Sequence, residues 1–191
     1  MKKILSCLLI CGLLSACSWQ RIPPAPEYIL ENTIPLKVGV ILADSPDSMY
    51  YGPAVIKEWQ EQNLFKSIDY PYRKGDQVDA VMRLTIIGSW KTNQGKDMAS
   101  DFVTGLTFGL AGVAVGSNLT GTHDATAIID KSSNEIGRYS INATSTVEWG
   151  MTASLNEVTK KADDLQKTTI AVELAQKIQE DRQSLLSHFK K

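Results

Sequence analysis

The position of the cysteines is the feature that most restricts how this chain can fold. All three, Cys7, Cys11 and Cys17, lie within the first 17 of 191 residues. A fold built from the rest of the chain has no disulfide to restrict its unfolded state, so core packing must stabilise it. The composition permits this, because 43% of the residues are hydrophobic. With 20 Lys+Arg against 21 Asp+Glu, the chain has no general attraction to nucleic acid.

The first 16 residues have the pattern of a secretory signal peptide. Met1-Lys2-Lys3 is a basic start, and an apolar run from Ile4 to Ala16 follows it. A helix needs about 20 residues to span a hydrocarbon core of about 30 Å, so this run is too short to be a transmembrane helix. We expect residues 1–16 to be removed, and Cys7 and Cys11 to be lost with them.

The end of this segment carries a short motif. Leu14-Ser15-Ala16-Cys17 resembles the lipobox of bacterial lipoproteins at all four positions. The resemblance implies a diacylglycerol on the Cys17 thiol, cleavage after Ala16, and acylation of the new amino terminus with palmitate. Ser18 follows Cys17 where the family's inner-membrane signal has Asp, which implies outer-membrane sorting, with the leaflet left open. The alternative is an ordinary secretory signal with an incidental cysteine.

A linker is predicted between the lipidated residue and the folded domain. Residues 17–33 contain Pro23, Pro24 and Pro26 and show no hydrophobic periodicity. Proline fixes φ and biases the preceding residue towards extended conformations. We therefore predict a tether that holds the domain up to about 50 Å from the membrane when fully extended.

A single α/β domain is predicted from residue 34 to residue 191. Val55, Ile56 and Trp59 recur at helical spacing, and Gly52-Pro53 is a possible helix start. Runs of β-branched residues indicate strands, and the last of them alternates apolar and polar residues, as a strand with one wet face does. The predicted strands are Leu36–Leu42, Ser67–Tyr70, Ala80–Lys91, Asp124–Ile129 and Arg138–Trp149.

A long helix is predicted near the carboxyl end. Ser154 and Glu157 have the spacing of a capping box. Apolar residues then recur every three or four positions, and the pattern continues to Phe189. A helix of that extent would be about 50 Å long at 1.5 Å per residue, so we predict a break near Gln179–Ser184. The buried face is predicted to contain Val158, Ala162, Leu165, Thr169, Ile170, Val172, Leu174, Ala175 and Ile178.

The order of these elements defines the expected fold class. It is β-α-β-β-(insertion)-β-β-α, which predicts an α/β (α+β) fold: a mixed sheet with helices packed on it. Over about Leu36–Gln179 this order resembles the α/β domain of the group formed by the TolB amino-terminal domain, the penicillin-binding-protein activators and the curli-secretion lipoproteins. The resemblance is topological and includes no sequence motif, so it bears on the fold more than on the task.

Residues 101–122 form a Gly-rich insertion, and no residue from Phe102 to Thr122 is charged. Its densely apolar part is too short for a spanning helix. Three interpretations are open: a loop or short helix buried over the sheet, a contact with a partner or lipid, and a pore-forming hairpin like that of the curli-secretion lipoproteins. The predicted interaction residues are Phe102, Leu106, Phe108, Leu110 and Trp90.

The sequence contains no recognisable catalytic or metal-binding motif. His123 and His188 lie far apart, and no thiol other than Cys17 remains after cleavage. Neither a Gly-x-Ser-x-Gly elbow nor a P-loop occurs. We interpret His123 as a turn residue and predict no enzyme activity, no metal and no cofactor.

These observations support three hypotheses of function. The first is a non-catalytic outer-membrane lipoprotein that binds another envelope protein or itself. The second is a subunit of an oligomeric export or pore complex that inserts the Gly-rich segment. The third is a lipoprotein that binds a small ligand. All three place the protein on a membrane through the lipid on Cys17, and none involves nucleic acid.

Overall fold

The computed structural model of the chain describes residues 20–27, 32–92, 117–149 and 155–190. Within these ranges the predicted mixed sheet with packed helices is confirmed. The elements are β1 (Gln20–Arg21), β2 (Ile34–Leu42), α1 (Pro46–Glu61), β3 (Phe65–Asp69), β4 (Ala80–Thr92), β5 (Ser117–Lys131), β6 (Asn134–Trp149), α2 (Leu155–Glu180) and α3 (Arg182–Ser187). In the described part of the chain, no helix is long and apolar enough to cross a membrane.

The strands form one sheet in the order β1-β6-β5-β4-β2-β3. β2 is parallel to both of its neighbours, with Val38 opposite Ile68 of β3 and opposite Ala80 of β4. β1 pairs with β6 in the antiparallel sense. The sheet is therefore mixed, and the parallel pair β2–β3 is joined through α1, as the predicted βαβ unit requires.

The chain divides into two compact units. Unit 1 consists of Met1–Pro24, Trp90–Gly121 and Ser145–Asp164. Unit 2 consists of Ala25–Ser89, Thr122–Thr144 and Leu165–Lys191. The boundary after Gly121 falls inside β5, and the boundary after Thr144 falls inside β6. The two units are therefore regions of dense contact and not successive domains along the sequence.

Unit 2 contains the main hydrophobic core. Every member of the buried apolar cluster belongs to it, from Ile34 in β2 to Leu185 in α3. α1 contributes Val55, Ile56 and Trp59, and the Trp59 indole donates a hydrogen bond to the carbonyl oxygen of Ala171 at 2.9 Å. This bond satisfies the one polar atom of a fully buried side chain and joins α1 to α2.

α1 begins seven residues earlier than the sequence pattern indicated. The predicted start was Gly52-Pro53, whereas the helix starts at Pro46, with Ser45 as its N-cap. The Ser45 hydroxyl accepts a hydrogen bond from the Ser48 amide at 3.2 Å, and proline is favoured in the first helical turn. Pro53 lies within the helix on its exposed side, where the ring does not disturb the packing.

The carboxyl-terminal prediction is confirmed in both its buried face and its break. α2 ends at Glu180 and α3 starts at Arg182, inside the predicted interval. All nine residues predicted to face the core are buried. Ser154 lies outside the described residues, so the capping box stays a prediction.

Candidate interaction site

Most of the residues predicted to interact fall outside the described part of the chain. These are Cys17, Phe102, Leu106, Phe108 and Leu110. Trp90 is described and half-buried, and its ring lies over Gly121, where an added Cβ would stand 2.7 Å from the nearest ring atom. The ring therefore packs on a neighbouring strand, while the role of Trp90 as a binding anchor stays a prediction.

The sheet of unit 2 has two unlike faces. Residues on one face of β4 and β6, such as Leu84 and Ile141, join the apolar cluster with α1 and α2. Most residues on the other face, here called the outer face, are polar. Ile41 and Ile87 are exceptions, because they are apolar and yet 41% and 59% exposed.

Polar side chains on the outer face pair across neighbouring strands. The hydroxyls of Thr126 and Ser140 are 2.9 Å apart, and Asn142 donates to the Asp124 carboxylate at 2.7 Å. Arg83 donates to Asp130 at 2.9 Å. Such cross-strand pairs each contribute about 0.2–1 kcal/mol, so they fix side-chain positions more than they stabilise the fold.

A concavity of about 620 Å³ opens on this face. Its floor includes Ile41 and Val81 together with the Arg83–Asp130 pair. The walls are the segment after β3, which carries Tyr72, Asp76 and Asp79, and the β5–β6 turn at Ser132 and Ser133. We call it the outer-face cavity.

The wall that follows β3 is held close to the sheet by specific contacts. The Tyr72 amide donates to the carbonyl oxygen of Val40 at 3.1 Å, and the Tyr72 ring lies on Gly39. A Cβ on Gly39 would overlap that ring, so only glycine permits this approach. Asp79 accepts from the Lys37 amide at 2.7 Å, which attaches the far end of the wall to β2.

The opposite wall is a two-residue hairpin turn. Ser132 and Ser133 have φ values of 50° and 68°, the pair of left-handed conformations found in a type I′ turn. Serine adopts this region less readily than glycine or asparagine, yet the turn matches the twist of the flanking strands.

The carboxylates of the cavity already have partners. Asp79 accepts a hydrogen bond from the Lys37 backbone amide, and Asp76 accepts one from the Arg73 backbone amide at 2.8 Å. Asp130 forms an ion pair with Arg83. Among the described residues, no three His, Cys, Asp or Glu side chains are grouped as a metal site requires. The cavity thus presents the exposed apolar side chain of Ile41 beside charged groups that are fixed by hydrogen bonds, an arrangement suited to binding.

Sequence reasoning did not find the polar cluster that attaches α1 to β4. Ser48 is fully buried, and its hydroxyl accepts from the Ile86 amide at 2.8 Å and contacts the Ile86 carbonyl oxygen at 3.1 Å. Asp47 accepts from the Gly88 amide at 2.9 Å. β2 ends at Leu42, opposite Leu84. The side chains of Asp47 and Ser48 therefore provide hydrogen-bond partners for the part of β4 that extends past the end of β2. The signal that could have found it is Ser45-Pro46-Asp47-Ser48, in which a serine that can cap a helix stands before a proline.

His123 also differs from its predicted place. It lies within β5, is 1% exposed and meets the Tyr51 ring edge-on at 4.6 Å between centroids. Its ring packs on Gly88, where a Cβ would overlap it. His123 is therefore a core residue and not a turn residue.

One titratable group in unit 2 is strongly perturbed. Burial raises the pKa of Tyr139 well above its usual range, and its hydrogen bond to the Asp181 carboxylate, 2.8 Å long, acts in the same direction. The bond joins β6 to the residue between α2 and α3. It is a structural contact, because the phenol is held in its neutral form.

The known proteins that are similar to this chain are solved structures of low sequence identity. No protein-family model and no curated protein matches the chain. Similar solved structures include a minor lipoprotein from Acinetobacter baumannii, 14% identical over 78% of this chain and 92% of its own, with a TM-score of 0.45. Rare lipoprotein B from Shewanella oneidensis is 10% identical over 81% of this chain and 99% of its own, with a TM-score of 0.41. A PelC dodecamer from Paraburkholderia phytofirmans is 11% identical over 82% of this chain and 98% of its own, with a TM-score of 0.30. Similarity at this level does not indicate what the chain does.

Proposed function

We propose that the protein is a non-catalytic lipoprotein, anchored to the bacterial outer membrane through Cys17, which binds another envelope protein through the outer-face cavity. The anchor is supported by Leu14-Ser15-Ala16-Cys17 and by Ser18 after it. Two or more acyl chains on one residue give stable membrane attachment, since each buried methylene contributes about 0.8 kcal/mol.

One observation carries the binding role: a cavity whose charged side chains are held in place by hydrogen bonds while an apolar side chain of its floor is exposed. Ile41 is 41% exposed beside the Arg83–Asp130 pair. A partner that covers this floor buries apolar surface at about 25 cal/mol per Å². The fixed ion pair then supplies orientation, because charge complementarity gives specificity more than affinity.

The binding role is tested by site-specific photocrosslinking of the full lipidated protein in the source bacterium. A photoreactive residue at Ile41 should yield one discrete crosslinked partner. The same residue at Lys57 should yield none, because α1 packs on the opposite face of the sheet from the cavity. Lys57 is a fair control, since its side chain is 74% exposed. Adding Arg83→Ala should weaken the Ile41 product. An Ile41 product no stronger than that from Lys57 would contradict the proposal.

The anchor is tested separately by mass spectrometry of the purified mature protein. The expected amino terminus is Cys17 carrying diacylglycerol and an amide-linked acyl chain. Cys17→Ser should abolish both lipidation and sedimentation with membranes. A mature chain that begins elsewhere, or begins at Cys17 without lipid, would contradict this part of the proposal.

A second candidate, binding of a small ligand, is favoured by the volume of the same cavity. About 620 Å³ falls within the 300–1,000 Å³ of ordinary ligand sites. A small molecule that co-purifies and is lost in the Ile41→Asp variant would favour it over a protein partner. The alternative of an export or pore subunit depends on Phe102–Thr122, most of which lies outside the described residues.

A further inference from the structure

The short strand β1 attaches the amino-terminal segment to the end of β6. Gln20 pairs with Trp149, and Arg21 pairs with Glu148, in an antiparallel ladder. Two side-chain contacts reinforce the pairing: Lys161 donates to Gln20 at 2.9 Å, and Arg21 lies 3.9 Å from the Glu148 carboxylate. All five residues belong to unit 1, so this pairing lies within a single compact unit.

This pairing shortens the distance between the lipid and the fold. Gln20 follows Cys17 by three residues, which span at most about 10 Å when fully extended. The sequence pattern alone predicted a tether of up to about 50 Å from residues 17–33. Because β1 is paired, the prolines lie after the first attachment point and connect β1 to β2, so they do not lengthen the path from lipid to β6.

We infer that unit 1 contacts the phospholipid headgroups directly through the end formed by β1 and the last residues of β6, with Arg21 and Trp149 as the contact residues. The inference rests on the lipidation of Cys17 in the proposed function. Acylated Cys17 lies at the boundary of the hydrocarbon, and each headgroup layer is about 5–7 Å thick. A span of about 10 Å therefore keeps Gln20 within or just above that layer.

The two contact residues have the chemistry of this layer. The Arg21 side chain is 81% exposed, and a guanidinium can donate two parallel hydrogen bonds to a phosphate. Trp149 is half-buried, and tryptophan is enriched at membrane interfaces because its ring is apolar and its N–H is polar. The occupant is a phospholipid bilayer and not a protein.

The charge of unit 1 indicates whether the contact depends on anionic lipid. Its described residues carry four basic side chains and four acidic ones, namely Arg21, Lys91, Lys160, Lys161, Glu148, Glu157, Asp163 and Asp164. A balanced surface gains little from an anionic membrane. Contact should therefore be as close on vesicles of phosphatidylcholine alone as on vesicles that contain anionic lipid.

The test uses full lipidated protein in phosphatidylcholine vesicles that contain a lipid with a nitroxide on its headgroup. A fluorophore at Trp149→Cys takes the place of the indole ring, while Arg21 still contacts the headgroups, and it should be quenched several-fold more than one at Ser132→Cys. Ser132 belongs to unit 2 and lies in the turn between β5 and β6, whereas Trp149 is the last residue of β6. Equal, weak quenching at both positions would overturn the inference.

A pair of matched insertions separates this arrangement from a flexible tether. Ten Gly/Ser residues between Trp19 and Gln20 add a root-mean-square length of about 17 Å before β1 and should abolish the quenching at residue 149. The same ten residues between Pro26 and Glu27, after β1, should leave it unchanged. Equal loss from both insertions would show that β1 does not hold unit 1 at the membrane.

Failure of the proposed function gives a different result. If mass spectrometry shows no lipid on Cys17, neither fluorophore will be quenched and the protein will not bind vesicles. If the lipid is present and the protein binds, but residue 149 is unquenched, then only the headgroup contact is wrong.

Discussion

Units 1 and 2 are stabilised in different ways. Unit 2 contains the entire buried apolar cluster, whereas the described buried apolar residues of unit 1 are Leu119, Val147, Val158 and Ala162. β1 is held in unit 1 by strand pairing and by exposed polar contacts, such as that of Lys161 with Gln20. The contrast indicates that unit 2 provides most of the core packing. In the inference drawn above, unit 1 is the part that contacts the membrane.

Truncation of a core leucine should have the largest effect and tests this contrast directly. Leu174→Ala, within the cluster, should cost about 2–5 kcal/mol, because the deletion leaves a cavity that packed neighbours cannot fill. Leu119→Ala makes the same deletion in unit 1, outside the cluster, where we expect about 2 kcal/mol or less. Urea unfolding of the two variants measures both, and a larger loss at Leu119 would reverse the comparison.

The next effect is expected at the polar cluster that joins α1 to β4. Ser48→Ala leaves the Ile86 amide without its buried hydroxyl acceptor and should cost about 1–3 kcal/mol. The control is Ser140→Ala on the outer face, an exposed serine hydroxyl that contacts Thr126. We expect the control to cost less than about 0.5 kcal/mol. Equal losses in thermal or urea unfolding would show that burial does not distinguish the two serines.

The contact between Tyr139 of β6 and Asp181 should make the free energy of unfolding depend on pH in the alkaline range. The folded pKa of Tyr139 is raised above the unfolded value, so its contribution is complete below about pH 10 and is lost as the pH rises towards the folded pKa. Tyr139→Phe should cost about 1–2 kcal/mol at pH 7 and should lose less stability than the wild type between pH 9 and 11. Parallel curves for the two proteins would contradict the assignment.

The smallest effect on stability is expected on the outer face. Arg83→Ala removes an exposed ion pair worth less than about 1 kcal/mol, yet it should weaken crosslinking from Ile41. Lys57→Ala removes the pair with Glu61 on α1 and should change neither quantity appreciably. If Arg83→Ala instead unfolds the domain, the outer face belongs to the stabilising structure and not to the binding surface.

Periodicity accounts for the parts of the fold that could be predicted from the sequence. The alternation in β6 identified its buried face, and the helical spacing in α2 identified the buried face of that helix. The break before Arg182 was predicted from the length of the helical pattern, which is too great for a domain of this size. Each of these patterns is local, and tertiary packing agrees with it. Such agreement between local pattern and fold is what makes an element readable from sequence.

The parts that were missed depend on distant partners or on competing local signals. β1 has two residues, and only its pairing with Glu148 and Trp149 makes it a strand. The start of α1 was misplaced because Gly52-Pro53 gives the same signal as Ser45-Pro46. The outer-face cavity combines residues as distant in sequence as Ile41 and Asp130, and no spacing in the sequence relates them.

Hydrogen exchange of the lipidated protein in phosphatidylcholine vesicles, compared with its Cys17→Ser variant in solution, tests the division of roles most directly. The account predicts that the slowest amides lie in the core strands and helices of unit 2 in both samples, because their opening requires global unfolding. Amides of Arg21 and Trp149 should gain protection only in the lipidated, membrane-bound protein. Equal protection at these two residues in both samples, or the slowest exchange in unit 1, would contradict it.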